Sequence, residues 1–165
     1  MSTIEDTIRD LARTQMRSSP VLSAEVPAYE TGSFVPTWVG GTIAGTFTYN
    51  ANATLVEWTR IGNRVEFNGR IAITAIGVAP TGVLQIAGWP YPGVAATNMA
   101  IAGGGSIFYW TLNIVNGYTQ VGMQFANGSS LAVLTETGDN LGPAAVLGGE
   151  LIVGDTRFFG QYRIV

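Results

Sequence analysis

The chain contains no cysteine and no histidine among its 165 residues. Without cysteine, neither a disulfide nor thiolate chemistry is available. Without histidine, the chain lacks the side chain that most often acts as general base, metal ligand and switch near neutral pH. From these two absences we predict that the protein is not an enzyme and has neither a metal site nor any other cofactor.

Charged residues are scarce, at 12 % of the chain, and none occurs between Arg70 and Glu136. The mean hydropathy is positive, at +0.27, yet no run approaches the roughly 20 apolar residues that a membrane helix needs. We therefore expect no membrane insertion. An uncharged surface of this extent is expected either to lie between subunits or to meet a neutral ligand rich in hydroxyl groups. The net charge of −3 argues against nucleic acid as a partner.

Residues 1–18 have the pattern of a short helix. Ser2 and Glu5 match a capping box, in which each side chain bonds to the other's free backbone donor. Apolar residues follow at alternating spacings of three and four, as in the seam of a coiled coil. A helix this short is marginal alone in water, so we predict that it self-associates, with packing on its own domain as the alternative. The seam consists of Ile4, Ile8, Leu11 and Gln15.

The remainder of the chain is predicted to be a linker followed by an all-β domain. Residues 19–33 contain proline and glycine without clear periodicity, which is typical of a linker. Residues 34–165 consist of short segments rich in Thr, Val, Ile and aromatic residues, separated by Gly, Asn and Pro clusters. This alternation favours a mainly β fold, and we expect a jelly-roll-like β-sandwich.

One hairpin is predicted around the turn Gly62-Asn63, between strands at 54–61 and 64–74. That register places Trp58 opposite Phe67 on an apolar face, and it places Glu57 and Glu66 on a wet face. The last strand, at 156–165, should direct Phe158, Tyr162 and Ile164 to one side.

A second hairpin is predicted around Asn116-Gly117, between strands at 106–115 and 118–125. Its register defines an apolar face and an uncharged polar face. The apolar face holds Phe108, Trp110, Leu112, Ile114, Val121, Met123 and Phe125.

The first hairpin also resembles a module near the C-terminus of many phage tail-fibre and tail-tip proteins. Residues 59–65 (TRIGNRV) match its TRIGN-x-V hairpin, and residues 84–92 (LQIAGWPYP) contain its G-x-P-x-P turn. Residues 45–49 (GTFTY) and 157–162 (RFFGQY) fit the same layout, so the resemblance covers about residues 34–165.

The resemblance implies a trimeric β-sandwich within a virion fibre, made in the host cytoplasm. We expect the N-terminal helix, which lies outside the resemblance, to trimerise the chain or to dock it on other tail or baseplate proteins. The resemblance carries over no catalytic or ligand-binding residue.

Carbohydrate binding is the activity that these residues favour, because sugars stack on aromatic rings and bond to amide side chains. Trp89 and Tyr91 lie in a proline-rich turn, a frequent location of binding residues. Trp89 is equally suited to a core or subunit interface. The polar face of the second hairpin is a second candidate, with a trimer interface as its alternative. It consists of Tyr109, Asn113, Tyr118 and Gln120.

We therefore expect a fibre protein that binds bacterial surface polysaccharide. A purely structural fibre subunit is the first alternative. A glycan-degrading enzyme is the second, since such an enzyme needs only two carboxylates at a set separation. Glu57 and Glu66 supply two carboxylates, but solvated ion pairs explain them more simply.

Deleting residues 1–18 should separate assembly from folding. We expect the full chain to scatter light as a homotrimer and the shortened chain to keep its β-sheet circular dichroism. A full-length monomer near 17.4 kDa at micromolar concentration would contradict the trimer. Loss of the β signal on deletion would contradict the division into helix and β domain.

Overall fold

A computed structural model describes residues 28–95, 100–109, 112–114, 118–138 and 141–165. The predicted helix at 1–18 lies outside these residues. The described residues form one antiparallel sheet of eleven strands and a short 3-10 turn at Gly148–Glu150. No described helix is long and apolar enough to cross a membrane. The strands are β1 (Tyr29–Phe34), β2 (Thr37–Gly40), β3 (Thr46–Tyr49), β4 (Leu55–Ile61), β5 (Arg64–Val78), β6 (Leu84–Ala87), β7 (Ile101–Tyr109), β8 (Gln120–Ala126), β9 (Ala132–Gly138), β10 (Leu141–Ala145) and β11 (Gly154–Arg163).

The sheet is curled because of a very short connection. Its strands run in the order β1-β4-β5-β11-β7-β8-β9-β6-β2, with β3 paired to β5 and β10 paired to β9. The end strands β1 and β2 are joined by only Val35 and Pro36, which span roughly 11 Å from one strand to the next. The two ends of the sheet must therefore approach each other. In agreement, the N–H of Trp38 on β2 donates to the hydroxyl of Tyr49 on β3, at 2.9 Å.

The core fills the concave side of this sheet and is centred on Trp89. The ring of Trp89 is 5 % exposed, and its Nε1 donates to the carbonyl of Ile86 at 2.9 Å. The rings of Phe67 and Phe125 each lie 4.7 Å from it, centroid to centroid. Phe34 contributes a further edge contact at 5.2 Å. These side chains come from β1, β5, β8 and the turn after β6, so the aromatic contacts join distant parts of the curl.

The first hairpin has the predicted register. Trp58 lies opposite Phe67, and the positive φ of Gly62, +60°, suits the tight turn. Phe67 is buried, whereas Glu57 and Glu66 on the opposite side are exposed. The prediction for the last strand is also confirmed. Its three apolar residues, Phe158, Tyr162 and Ile164, are all buried.

The predicted register of the second hairpin is wrong. Ile107 lies opposite Val121, whereas a turn at Asn116-Gly117 would have placed Leu112 there. Since the shift is an odd number of residues, it exchanges the two faces of the first strand: Ile107 is buried and Phe108 is 57 % exposed. The cause is tertiary, because β7 also pairs with β11, where Phe158 lies opposite Ile107.

Two further expectations are corrected. The described strands belong to a single curled sheet and not to the two packed sheets of a jelly-roll-like sandwich. Hydrogen-bonded pairing continues from β1 around to β2, so the core is enclosed by curvature. In addition, residues 29–33, which were expected to end the linker, belong to β1 and pair with β4.

Two carboxylates are buried at one end of the core. Glu136 is 3 % exposed and its Oε2 has no hydrogen-bond partner among the described residues. Glu150 accepts a hydrogen bond from the backbone N–H of Leu147, at 2.7 Å. Burial, and to a smaller extent the charge of Glu150, raises the pKa of Glu136 above its usual value.

The substitution Glu136→Gln should therefore stabilise the protein at neutral pH. A raised pKa means that the folded state holds the proton more tightly than the unfolded state, so stability falls as pH rises through the folded-state pKa. The difference in melting temperature between variant and parent should shrink as the pH is lowered toward 4. Glu57→Gln, at an exposed site, is the control. An unchanged difference between pH 4 and pH 8 would contradict a buried, ionising carboxyl.

Candidate functional site

Trp89 and Tyr91, two predicted binding residues, both have structural contacts. Trp89 is in the core, which is the packing role that the sequence also allowed, and its ring cannot stack on a sugar from solvent. Tyr91 is partly buried and packs edge-on against Trp58, with centroids 5.5 Å apart. The glycan-binding prediction for Trp89 is thus corrected.

The hydroxyl of Tyr91 connects the proline-rich turn to the end of the sheet. It donates a hydrogen bond to Glu30 on β1, and the guanidinium of Arg60 on β4 lies 5.3 Å from the Tyr91 ring centroid. Arg60 also pairs with Glu30 at 3.3 Å. The Tyr91 hydrogen bond, followed by the charge of Arg60, lowers the pKa of Glu30, and the same hydrogen bond raises the pKa of Tyr91. These contacts hold the turn against β1 and β4.

The second candidate set does not form one cluster. Gln120 is exposed on β8 and pairs with Thr137 of β9, and Tyr118 is partly buried. Asn113 is exposed beyond the end of β7, where its backbone N–H donates to the carbonyl of Glu150 at 2.7 Å. The side chain of Tyr109 lies outside the described part of the chain. The shared face was inferred from the incorrect register. In the structure, Asn113 and Gln120 are not cross-strand neighbours.

The structure brings together a different set of polar side chains, on the convex side of the sheet opposite the core. We call this side the outer face. Cross-strand partners lie on the same side of a sheet, so the registers define two rows across β1, β4, β5, β11 and β7. One row contains Ser33, Glu57, Asn68, Phe159 and Ser106, and the other contains Thr31, Thr59, Glu66, Gln161 and Gly104.

A groove of about 590 Å³ lies over the part of these rows that belongs to β1, β4 and β5. Glu57 has no ion-pair or hydrogen-bond partner among the described residues, whereas Glu66 pairs with Arg64 at 2.8 Å. Both carboxylates are exposed. The side chains that line the groove are Thr31, Ser33, Glu57, Thr59, Glu66 and Asn68, together with the edges of Gly32, Trp58 and Phe67.

A second groove, of about 440 Å³, shares Glu66 with the first and extends over β11 and β7. Its floor is low because Gly104, Gly105 and Gly160 carry no side chains. Phe159 stands at its side and is 51 % exposed. The outer face therefore offers hydroxyl, amide and carboxylate groups next to an exposed ring. Within the described residues no group of three or more potential metal ligands occurs.

Sequence reasoning assigned Glu57 and Glu66 to the wet face of a hairpin. The alternation predicted for the last strand leaves Phe159 and Gln161 on the side opposite Phe158 and Tyr162. Sequence reasoning did not bring these residues together, because β5 and β11 are separated by the greater part of the domain. The available sequence signal was the alternation of the last strand, which places Phe159 and Gln161 together on the side that faces away from the core.

Comparison with known proteins shows a similarity to a solved structure. No protein-family model matches the chain, and no curated protein sequence matches it. Among solved structures, the crystal structure of the Dettilon tailspike protein is similar over 88 % of this chain, with a TM-score of 0.64 and 20 % sequence identity. The match spans 26 % of the tailspike chain. At this identity the similarity shows a shared fold.

The Tyr91–Glu30 contact predicts a measurable pKa change. Replacing Tyr91 by Phe removes the donor that stabilises the Glu30 carboxylate, so the pKa of Glu30 should rise toward its usual value. An NMR titration of the carboxyl carbon measures this directly. Tyr29→Phe, beside Glu30 but exposed, is the matched control and should leave the titration unchanged. An unaltered Glu30 titration in the Tyr91→Phe protein would show that the contact is not formed in solution.

Proposed function

We propose that this chain is a phage tail protein that recognises host-surface polysaccharide through the grooves of its outer face. The fold shared with part of a tailspike supports the tail assignment. The observation that carries the binding assignment is the pair of polar rows across five strands, next to the exposed ring of Phe159. The proposed location is the virion.

The outer face has the chemistry that a polysaccharide requires. Hydroxyl, amide and carboxylate groups bond to sugar hydroxyls, and an aromatic ring provides apolar stacking area. The volume of the first groove, about 590 Å³, falls within the roughly 300–1,000 Å³ of ordinary ligand sites. The rows lie on paired strands and not on loops, so the side chains are held in fixed spacing before a ligand arrives.

The same features favour binding over hydrolysis. Glu57 and Glu66 are both solvent-exposed, and Glu66 is ion-paired. A glycosidase needs a general acid whose surroundings keep it protonated. Such surroundings are buried and apolar, whereas both of these side chains are exposed. We therefore propose a binding protein without enzymatic activity. A purely structural tail subunit is the second candidate, favoured by the exposed apolar residues of the sheet.

Assembly belongs to the same proposal. We propose a homotrimer held by the seam of Ile4, Ile8, Leu11 and Gln15, with residues 1–18 attaching the chain to other tail or baseplate proteins.

Asn68→Ala should weaken binding to host cells or purified surface polysaccharide about three- to tenfold. The variant removes an amide that lines the first groove, and one net hydrogen bond contributes about 0.5–1.5 kcal/mol. Gln120→Ala is the matched control, since Gln120 is exposed on β8 and lies outside both grooves. Loss of binding with Gln120→Ala but not Asn68→Ala would transfer the site to the second hairpin. A parent protein that binds no host glycan would favour the structural role.

A further inference from the structure

The two grooves of the outer face belong to one continuous trough. Glu66 and Phe67 line both grooves, so the grooves meet on β5. The pairings of β1 with β4, β4 with β5 and β5 with β11 contain no register shift, and β11 pairs with β7 without a shift from Phe158 to Tyr162. The trough therefore crosses five strands without a break.

The floor of the trough consists of residues that point toward the core. Phe67 is buried, and a Cβ on Gly160 would come within 2.7 Å of its ring. A Cβ on Gly32 would likewise come within 2.6 Å of the ring of Trp58. At these positions the outer face presents mainly backbone. In the order of the strands, the floor is Gly32, Trp58, Phe67, Gly160 and Gly105.

The two polar rows form the walls on either side of this floor. Alternate residues of a strand are about 7 Å apart, and five neighbouring strands span about 19 Å from first to last. These distances give the width and the length of the trough. A single extended chain that lies across the strands fits such dimensions.

A peptide does not suit this trough. A peptide strand binds a sheet through unpaired backbone groups at an edge. The trough crosses β4, β5 and β11, each of which is paired on both sides. The ligand must therefore be recognised by the side chains of the walls, which supply hydroxyl, amide and carboxylate groups.

The charges around the trough cancel. A third groove, of about 430 Å³, adjoins the trough and shares Glu57 and Asn68 with it. Among the described residues that line the three grooves or pair with a lining residue, three carboxylates accompany three guanidinium groups. The carboxylates are Glu57, Glu66 and Asp155, and the guanidinium groups are Arg64, Arg70 and Arg157.

Most of these charges are already paired within the protein. Arg64 pairs with Glu66 at 2.8 Å. Asp155 pairs with Arg70 at 2.8 Å and with Arg157 at 3.3 Å. A ligand of either sign therefore meets no excess of opposite charge, whereas an uncharged ligand can bond to these groups without disturbing the pairs.

The two ends of the trough differ in chemistry. Over β1 and β4 the walls carry the hydroxyl groups of Thr31, Ser33 and Thr59. Over β11 the wall carries the ring of Phe159, which is 51 % exposed and contacts Phe108 at a centroid distance of 5.9 Å. A sugar ring has hydroxyl groups around its rim and an apolar C–H face, so successive sugars of one chain find partners at both ends.

We propose that the trough binds a linear, uncharged segment of the host polysaccharide, which lies across the strands from β1 to β7. One sugar ring stacks on Phe159, and the sugars that follow bond to the side chains of the two rows toward Ser33 and Thr31. The inference rests on the proposed function and names the shape and the charge of the glycan.

Variants at the two ends of the trough test whether one ligand spans it. Ser33 on β1 and Phe159 on β11 are three strand spacings apart, or about 14 Å. With a long glycan, Ser33→Ala and Phe159→Ala should each weaken binding about three- to tenfold, for one hydrogen bond and one stacking contact. With a mono- or disaccharide that binds at Phe159, only Phe159→Ala should weaken binding.

The matched control for the ring is Tyr29→Ala, which removes a 67 % exposed ring on β1 outside both grooves. This variant should bind like the parent, and Phe159→Trp should retain binding because it keeps a stacking surface. Full binding by Ser33→Ala, or equal affinity for a disaccharide and the long glycan, would overturn a ligand that spans the trough. A changed oligomeric state of Phe159→Ala in light scattering would assign the ring to a subunit contact and also overturn it.

A glycan array with uncharged, acidic and amine-bearing bacterial oligosaccharides tests the charge of the ligand with the full chain. We expect the uncharged glycans to bind best, and raising NaCl from 50 to 500 mM should change their binding less than twofold, since no net charge is screened. Arg163→Gln, which removes an exposed cation of β11 outside both grooves, should likewise have little effect. Preference for an acidic or an amine-bearing glycan would overturn the inference.

The outcomes separate this inference from the proposed function. Binding of host glycans that are charged, or that engage one end of the trough alone, would overturn the linear uncharged ligand and leave polysaccharide recognition intact. Absence of binding to every class on the array would overturn both.

Discussion

The connection through Val35 and Pro36 is the constraint on which the architecture depends. It joins the two strands that end the sheet, so the sheet has to curl until its ends are neighbours. Curling creates the concave side, and the aromatic residues around Trp89 fill it from several strands at once. Outside the core, the contact of Tyr91 with Glu30 and Arg60 also holds the turn after β6 against β1 and β4.

The outer face follows from the same geometry. Side chains alternate between the two sides of a strand, so every residue packed against Trp89 fixes its neighbours on the convex side. Phe158 in the core, for example, places Arg157 and Phe159 outside. The candidate site is therefore a consequence of core packing, and its polar rows follow the pairing of five adjacent strands.

Sequence reasoning succeeded where the relevant contacts are local. The Gly62-Asn63 hairpin needed only a short turn and an alternating pattern, and its register was correct. It failed at Asn116-Gly117, where a favourable turn sequence competed with pairing to β11. It also failed to distinguish a sandwich from a curled sheet, because both are built from the same alternating strands.

By itself the sequence determined that the chain is mainly β and which residues alternate on β4, β5 and β11. The absence of cysteine and histidine excluded disulfide, thiolate and imidazole chemistry from the chain. Only the tertiary structure decided that Trp89 is a core residue and that Glu57, Asn68 and Phe159 form one row. The physical reason is that alternation is a property of a single strand. Which strands become neighbours depends on burial of side chains far apart in the chain, as when β5 pairs with β11 across more than half of the domain.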